Sequence, residues 1–264
     1  MEHIRSWYRE KKEKRRVFVT LPREIHRFFV SSPYPERMRA WQDIHAGKRC
    51  FLIGNGPSLR PEDLDRLQGE ISFAVNRIGQ IYDRTAWRPT YFCCMDPNMV
   101  RAYMDEFLQG GQRMSFLPVY AGNWEFARQY TNRDDVQLIE MTHGAPEGSL
   151  PAFSDDCSRI MYGGYSVTYC LMQLAVYMGC TELILLGMDH NFAVNMDFNR
   201  MMDQREGLSH FYRDADPIRA NIGGITNAYL AARDYAEAHG IKILNATRGG
   251  RLEVFPRVTL EEVL

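Results

Sequence analysis

The sequence predicts an α/β domain in which a mostly parallel sheet is flanked by helices. Three observations predict it. Strand-sized apolar runs alternate with helix-patterned segments from Lys48 onward. Most of these runs are continuously apolar rather than alternating, as strands covered on both faces require. Turns bearing glycine, asparagine or aspartate follow several of them, at the strand ends where open sheets of this class collect ligands.

The strand candidates are Cys50–Ile53, Ile71–Val75, Thr90–Cys94, Met114–Val119, Gln137–Glu140, Glu182–Leu186 and Lys242–Leu244. Helices are expected at Pro61–Leu67, Pro97–Gln109, Asn123–Tyr130, Val167–Met178 and Ile225–His239. The last two carry the clearest 3.6-residue pattern, and Gly179 and Gly240 stand where a helix ends. Residues 48–264 therefore read as one α/β domain, and residues 1–47 as a separate basic and aromatic segment. That segment opens with Arg5, Arg9, Lys11, Lys12, Lys14, Arg15 and Arg16, diluted by Glu2, Glu10 and Glu13, and continues as VFVTLPREIHRFFV. Two readings are open for it: a solvated helix packing on the domain or on a second subunit, or a contact with an anionic membrane surface. SSPYPER then breaks the chain, and Met38–His45 is expected as a short helix. Residues 190–224 are polar, Met- and Asn-rich and irregular, and read as a loop-rich lid that orders around a ligand.

Composition excludes several classes. The 264 residues are 45% hydrophobic and 25% charged with a net charge of −1, so no global field draws the chain to nucleic acid. The six cysteines form no C-x-x-C pair, and Cys50, Cys93, Cys94 and Cys170 sit in apolar runs, which favours free buried thiols over a disulfide framework. The first residues lack the apolar core of a signal peptide, and no run approaches the ~20 apolar residues of a membrane span. The expected location is the cytoplasm, including the inner face of the membrane.

Five clusters could carry chemistry. Gly54-Asn55-Gly56-Pro57-Ser58 links an apolar strand to a helix. Its glycines allow positive φ and close approach, and its amides with the Ser58 hydroxyl suit an anionic ligand group. It is neither a Walker A loop nor G-x-G-x-x-G. Asn76 ends the second strand and can both donate and accept toward a base or sugar. Asp96 ends the third, where it could accept from sugar hydroxyls, coordinate a metal or cap the next helix. Tyr162, Gly163, Gly164, Tyr165, Ser166 and Thr168 precede the long helix and again suit an anion. Asp189 and His190 close a strongly apolar strand, and His210 sits in Ser209-His210-Phe211-Tyr212, where a histidine can act as general base. His190 and His210 lack standard metal-ligand spacing, and no Ser-His-Asp or Cys-His pattern stands out.

Taken in order, FLIGNGPSL, FAVNRI, YFCCMDPNM, YGGYSVTYCLMQLAVYMGCTELILLGMDHNF, SHFY and GIKILNAT resemble the MptE-like domain family, from about Lys48 to Leu264. That family includes archaeal 6-hydroxymethylpterin pyrophosphokinases and is similar to bacterial CMP-sialic-acid-using sialyltransferases. The resemblance implies a Rossmann-like fold and a nucleotide site. By resemblance Asn55, Gly56, Ser58 and Asn76 touch a cytidine nucleotide. The sialyltransferases have an asparagine near the position of Asp96, and a Thr-Ser-Gly turn near Ser166–Thr168, so this sequence departs from them at both. Their general-base histidine finds its nearest match in His210, without the second histidine that follows it there.

Two activities follow as expectations. A glycosyltransferase would move a sugar from a nucleotide donor, a CMP-sugar by resemblance, to a surface-glycan or lipid-linked acceptor. It would use His210 as base, Tyr162 or Tyr165 at the departing phosphate, and no obligatory cofactor. Gly54, Asn55, Gly56, Ser58, Asn76, Asp96, Gly164, Ser166, Thr168 and Asp189 would bind the nucleotide. The alternative, a pterin pyrophosphokinase, would use ATP and Mg²⁺ with Asp96 and Asp189 as ligands. A homo-oligomer fits either.

Overall fold

The computed structural model describes residues 12–143, 149–192, 194–197, 200–204, 210–211 and 219–264. Eight parallel strands form one sheet in the order β11-β7-β1-β2-β3-β4-β5-β6. They are β1 (Arg49–Ile53), β2 (Ser72–Val75), β3 (Tyr91–Cys93), β4 (Met114–Val119), β5 (Val136–Thr142), β6 (Met161–Tyr162), β7 (Glu182–Leu186) and β11 (Lys242–Asn245). β1 lies between β2 and β7 and pairs with both, so the order of winding reverses at its flank. Its Cys50, Phe51, Leu52 and Ile53 are fully buried, which is why the run is apolar on both faces.

The two faces are covered by different helices. On one side lie α6 (Val167–Tyr177) and α7 (Ile222–Ala238), packed over Leu52, Phe73, Tyr91, Cys93 and Leu185. On the other lie α1 (Leu21–Ser31), α3 (Pro61–Asp65), α4 (Pro97–Phe107) and α5 (Trp124–Ala127), over Phe51, Ile53, Phe92, Leu117 and Ile184. Truncating a fully buried ring such as Phe51 to alanine should cost about 3–5 kcal/mol.

The segment before β1 is part of this packing. Leu21, Ile25 and Phe29 of α1 and Tyr34 and Met38 of α2 (Tyr34–Arg39) are buried. The short helix lies at Tyr34–Arg39, inside the SSPYPER stretch, where Pro35 in the first turn needs no amide partner; of the expected Met38–His45 only Met38 and Arg39 are helical, and the rest is turn. α7 begins three residues earlier than expected, running through Gly223 and Gly224, because the Asn221 side chain accepts from the Gly224 N–H at 2.8 Å. The segment read as irregular contains a small sheet, with β8 (Val194–Asp197) between β9 (Arg200–Gln204) and β10 (Arg219–Ala220). Residues 193, 198–199, 205–209 and 212–218 of that segment, Ser209 and Tyr212 among them, lie outside those described. All six cysteines are free and buried. Among the described residues no helix is long and apolar enough to cross a membrane.

Candidate functional site

The strands end at nearly one level, with Ile53 opposite Leu186 and Ala74, and Val75 opposite Cys93. The residues that follow therefore stand side by side along the carboxyl edge, around the point where the winding reverses. A cleft of about 380 Å³ opens there. Eleven of the residues singled out from the sequence line it: Gly54, Asn55, Gly56, Asn76, Asp96, Tyr165, Ser166, Thr168, Asp189, His190 and His210.

Its floor is the pair of turns after β1 and β7. Gly54 N–H donates to Leu186 O and Gly56 N–H to Gly187 O, both at 2.8 Å, so the two backbones stay paired beyond the strands. A Cβ on Gly54 would lie 2.4 Å from the Gly187 carbonyl oxygen, and one on Gly187 would lie 2.8 Å from that of Gly54. Neither Gly54 nor Gly56 takes the left-handed φ that the sequence reading allowed for; both are glycine for space.

Asp189 fills the turn from below. Its carboxylate accepts from Ser58 Oγ–H at 2.7 Å and from Ser58 N–H at 3.3 Å, and a Cβ on Gly56 would lie 1.8 Å from its Oδ2. The anionic group meeting the turn's amide and hydroxyl is thus the protein's own, where the sequence reading placed one of the ligand. Ser58 consequently supports the cleft without lining it. Burial raises the Asp189 pKa, and the two bonds from Ser58 partly offset that rise. A third loop braces the backbone here: Arg251 N–H donates to Asp189 O at 2.7 Å, and Met188 N–H to Thr247 Oγ at 3.0 Å.

Two asparagine acceptors are left over. Asn55, 5% exposed, donates its Nδ2–H to Val75 O at 3.1 Å, while its Oδ1 is buried with no partner. Asn76 Oδ1 is likewise buried and unpartnered. Buried acceptors without donors are costly and few, and here both belong to cleft residues. Backbone strain concentrates in the same place. Of the four described non-glycine residues with positive φ, Asn76, Tyr165 and His190 line the cleft.

The opposite wall is the start of α6. Ser166 caps it, its Oγ accepting from Thr168 N–H at 3.2 Å, and the Tyr229 hydroxyl lies 3.3 Å from the same oxygen. Eleven residues of helix place the positive end of their dipole at the cleft. Asp96 Oδ1 caps α4, accepting from Asn98 N–H at 2.8 Å and Met99 N–H at 3.1 Å. Phe211 N–H donates to Asn55 O at 2.8 Å, tying the segment that carries His210 to the glycine turn.

Two expected residues are not brought in. Tyr162 lines a second cavity of about 620 Å³ with His26, Arg39 and Asp155, because its strand is the sheet's far edge. Gly164 is not among the lining residues; a Cβ on it would come within 2.4 Å of the Tyr169 ring, so glycine there leaves α6 room to pack. Conversely, Met95, Phe192, Asn221, Ile225 and Tyr229 line the cleft unannounced. The 221, 225, 229 spacing marks one face of α7, but periodicity alone does not distinguish a cleft face from a core face.

Asp96 and Asp189, the Mg²⁺ ligands expected for the pyrophosphokinase alternative, both line the cleft; Asp189 also accepts from Ser58, and Asp96 also caps α4.

The glycosyltransferase MAf of Magnetospirillum magneticum AMB-1 shares the fold, with a TM-score of 0.54 and 15% identity over 86% of this chain; the chain spans 39% of that protein. A variant of the sialyltransferase CST-II in complex with CMP superposes with a TM-score of 0.50 and 14% identity, over 80% of this chain and 86% of that one. CstII of Campylobacter jejuni, in complex with the substrate analogue cytidine-5'-monophosphate, gives a TM-score of 0.49 at 15% identity, over 81% and 85%. At these identities the likeness is one of fold. No curated protein sequence matches the chain. The family model "6-hydroxymethylpterin diphosphokinase MptE-like" matches residues 30–195, more than half of the length, and the chain belongs to the MptE-like family.

Proposed function

We propose that the protein is a glycosyltransferase, moving a sugar from a nucleotide donor of the CMP-sugar class to a hydroxyl of a glycan or lipid-linked acceptor. One observation carries the reading: two orphaned asparagine acceptors share a cleft with a helix N-terminus. A ligand that satisfies both must present hydrogen-bond donors and an anion a short distance apart. A nucleoside monophosphate does so, through its base amino group or ribose hydroxyls and its phosphate. The fold shared with a glycosyltransferase and with a CMP-bound sialyltransferase supports the same class.

In this reading Asn55 and Asn76 hold the nucleoside, and the first turn of α6 with Ser166 and Tyr165 holds the phosphate. His210 accepts the proton of the acceptor hydroxyl as its oxygen bonds to the sugar's anomeric carbon. The bond from that carbon to the phosphate oxygen breaks, and the electron pair leaves with CMP, whose charge the α6 amides stabilise. Asp189 does not touch the donor; it keeps the glycine turn in shape.

The family's description favours a second reading, ATP-dependent diphosphate transfer to a pterin alcohol. Thermal melts with CMP, CDP, UDP, GDP and ATP, each with and without Mg²⁺, separate the two. Stabilisation by CMP without metal supports the transferase. Stabilisation by ATP alone, and only with Mg²⁺, would overturn it.

A further inference from the structure

The outer face of α1 has no role in the cleft. Its inner stripe, Leu21, Ile25 and Phe29, is buried against the domain. Yet Phe18 is 76% exposed and Val30 72% exposed, with Val19 beside Phe18 at 39%. Val19 and Val30 share with Arg23 and Arg27 the three- and four-residue spacing 19, 23, 27, 30, which marks the opposite face of the helical run formed by the π-turn Arg16–Thr20 and α1, and Phe18 stands exposed at its start. Residues 12–31 carry six Lys or Arg and two Glu, in a chain whose net charge is −1. Arg23 and Arg27 flank the exposed apolar side chains along that face.

The direction of the helix relative to the sheet adds the second half. His26 Nδ1 lies 3.1 Å from Glu140 Oε1, near the end of β5. The Tyr34 carbonyl accepts from Gln137 Nε2 at 3.0 Å, near its beginning. The run therefore descends antiparallel to β5, and its Phe18 end lies toward the carboxyl edge. Arg16 confirms the placement, pairing at 3.2 Å with Glu125 of α5, the helix that follows the carboxyl end of β4. The cleft opens at that same edge of the sheet.

We infer that this face of the run from Arg16 to Ser31 docks on an anionic phospholipid surface, with Phe18, Val19 and Val30 entering the headgroup layer and the surrounding cations meeting lipid phosphates. Exposed aliphatic and aromatic side chains set among Lys and Arg are the chemistry of an interfacial contact. A nucleic acid would use the cations but has nothing to offer Val19 and Val30. Docking by this face lays the run along the lipid, with its Phe18 end beside the carboxyl edge of the sheet at which the cleft opens. The surface itself does not depend on the proposed activity, and its test involves no substrate.

The test is co-sedimentation of the full chain with vesicles of phosphatidylcholine alone or mixed with phosphatidylglycerol, at low and high salt. The wild type should partition onto the anionic vesicles only, and less at high salt. Phe18→Ser combined with Val30→Ser should lower partition by about tenfold or more. Arg23→Gln combined with Arg27→Gln should lower it by about 25-fold. All four positions face solvent, so the melts of both variants should match the wild type. No partition of the wild type, equal partition onto neutral vesicles, or unchanged partition of both variants would overturn the inference. So would RNA binding, or a dimer that the variants abolish, in place of vesicle binding.

Discussion

Replacing Gly56 by alanine puts a methyl group where the Asp189 carboxylate already sits. The new Cβ would lie 1.8 Å from Asp189 Oδ2 and 2.6 Å from the Gly187 carbonyl oxygen. Either the carboxylate swings away or the backbone moves. Swinging away sacrifices the 2.7 Å bond from Ser58 Oγ–H, worth about 1.5–3 kcal/mol for a charged acceptor. Moving the backbone costs about 1–3 kcal/mol as overpacking. Both routes give about 2 kcal/mol, or a fall of about 4–8 °C in Tm. Gly79→Ala is the control, since its nearest neighbour would be 3.6 Å away, and it should melt within ~2 °C of the wild type. Asp189→Ala removes the shorter clash but not the one with Gly187, so the double variant should show a coupling of about 1 kcal/mol. The assay is thermal unfolding of the four proteins, with CMP affinity measured on each. A wild-type Tm for Gly56→Ala, or strict additivity with Asp189→Ala, would refute the account of this turn.

Other expectations rest on separate observations. Asn55→Ala removes an orphaned acceptor and should weaken CMP binding by about tenfold, read by calorimetry. Asn76 has φ +48°, so Asn76→Gly should fold as well as the wild type yet bind CMP more weakly, whereas Asn76→Val should also lose about 1–2 kcal/mol of stability. His210→Ala should lower the transfer rate by about 10²–10⁴ while leaving CMP affinity nearly unchanged; equal rates would remove His210 as base. Asp189 has a folded-state pKa above its ordinary 3.8, so the native state holds that proton more tightly than the unfolded chain does. Its contribution therefore falls as pH rises from the ordinary value through the raised one. Melts of Asp189→Asn against the wild type should show a Tm difference moving in the variant's favour across that window; a difference independent of pH would contradict the shift.

The sheet was legible because its strands are buried on both faces. Met114–Val119 and Glu182–Leu186 begin and end where the apolar runs do, and β1 and β2 differ from the expected limits by one residue. β6 escaped notice because two residues carry no pattern. The small sheet escaped because its strands are polar and interrupted. Most of the candidate site was visible as polar residues after apolar runs, since parallel strands of similar length end at one edge. What the pattern could not supply was partnership. Ser58 and Asp189 are 131 positions apart, and only their contact shows that the turn's anion belongs to the protein. Tyr162 and Tyr165 lie three positions apart, yet the turn between them sends one to the far edge of the sheet and the other to the cleft.

The pairing of β1 with β7 also bears on the order in which the protein is made. Arg49–Ile53 emerge from the ribosome 133 positions before their partners Glu182–Leu186. At the usual pace of synthesis the interval is on the order of ten seconds. For that time the most buried strand has one neighbour at most, and the Gly54–Ser58 turn lacks the Gly187 carbonyl and the Asp189 carboxylate that shape it. The cleft is thus among the last features the nascent chain can acquire. Long-range parallel pairing of this kind is slow to form, and until it forms the apolar flank of β1 is open to other chains.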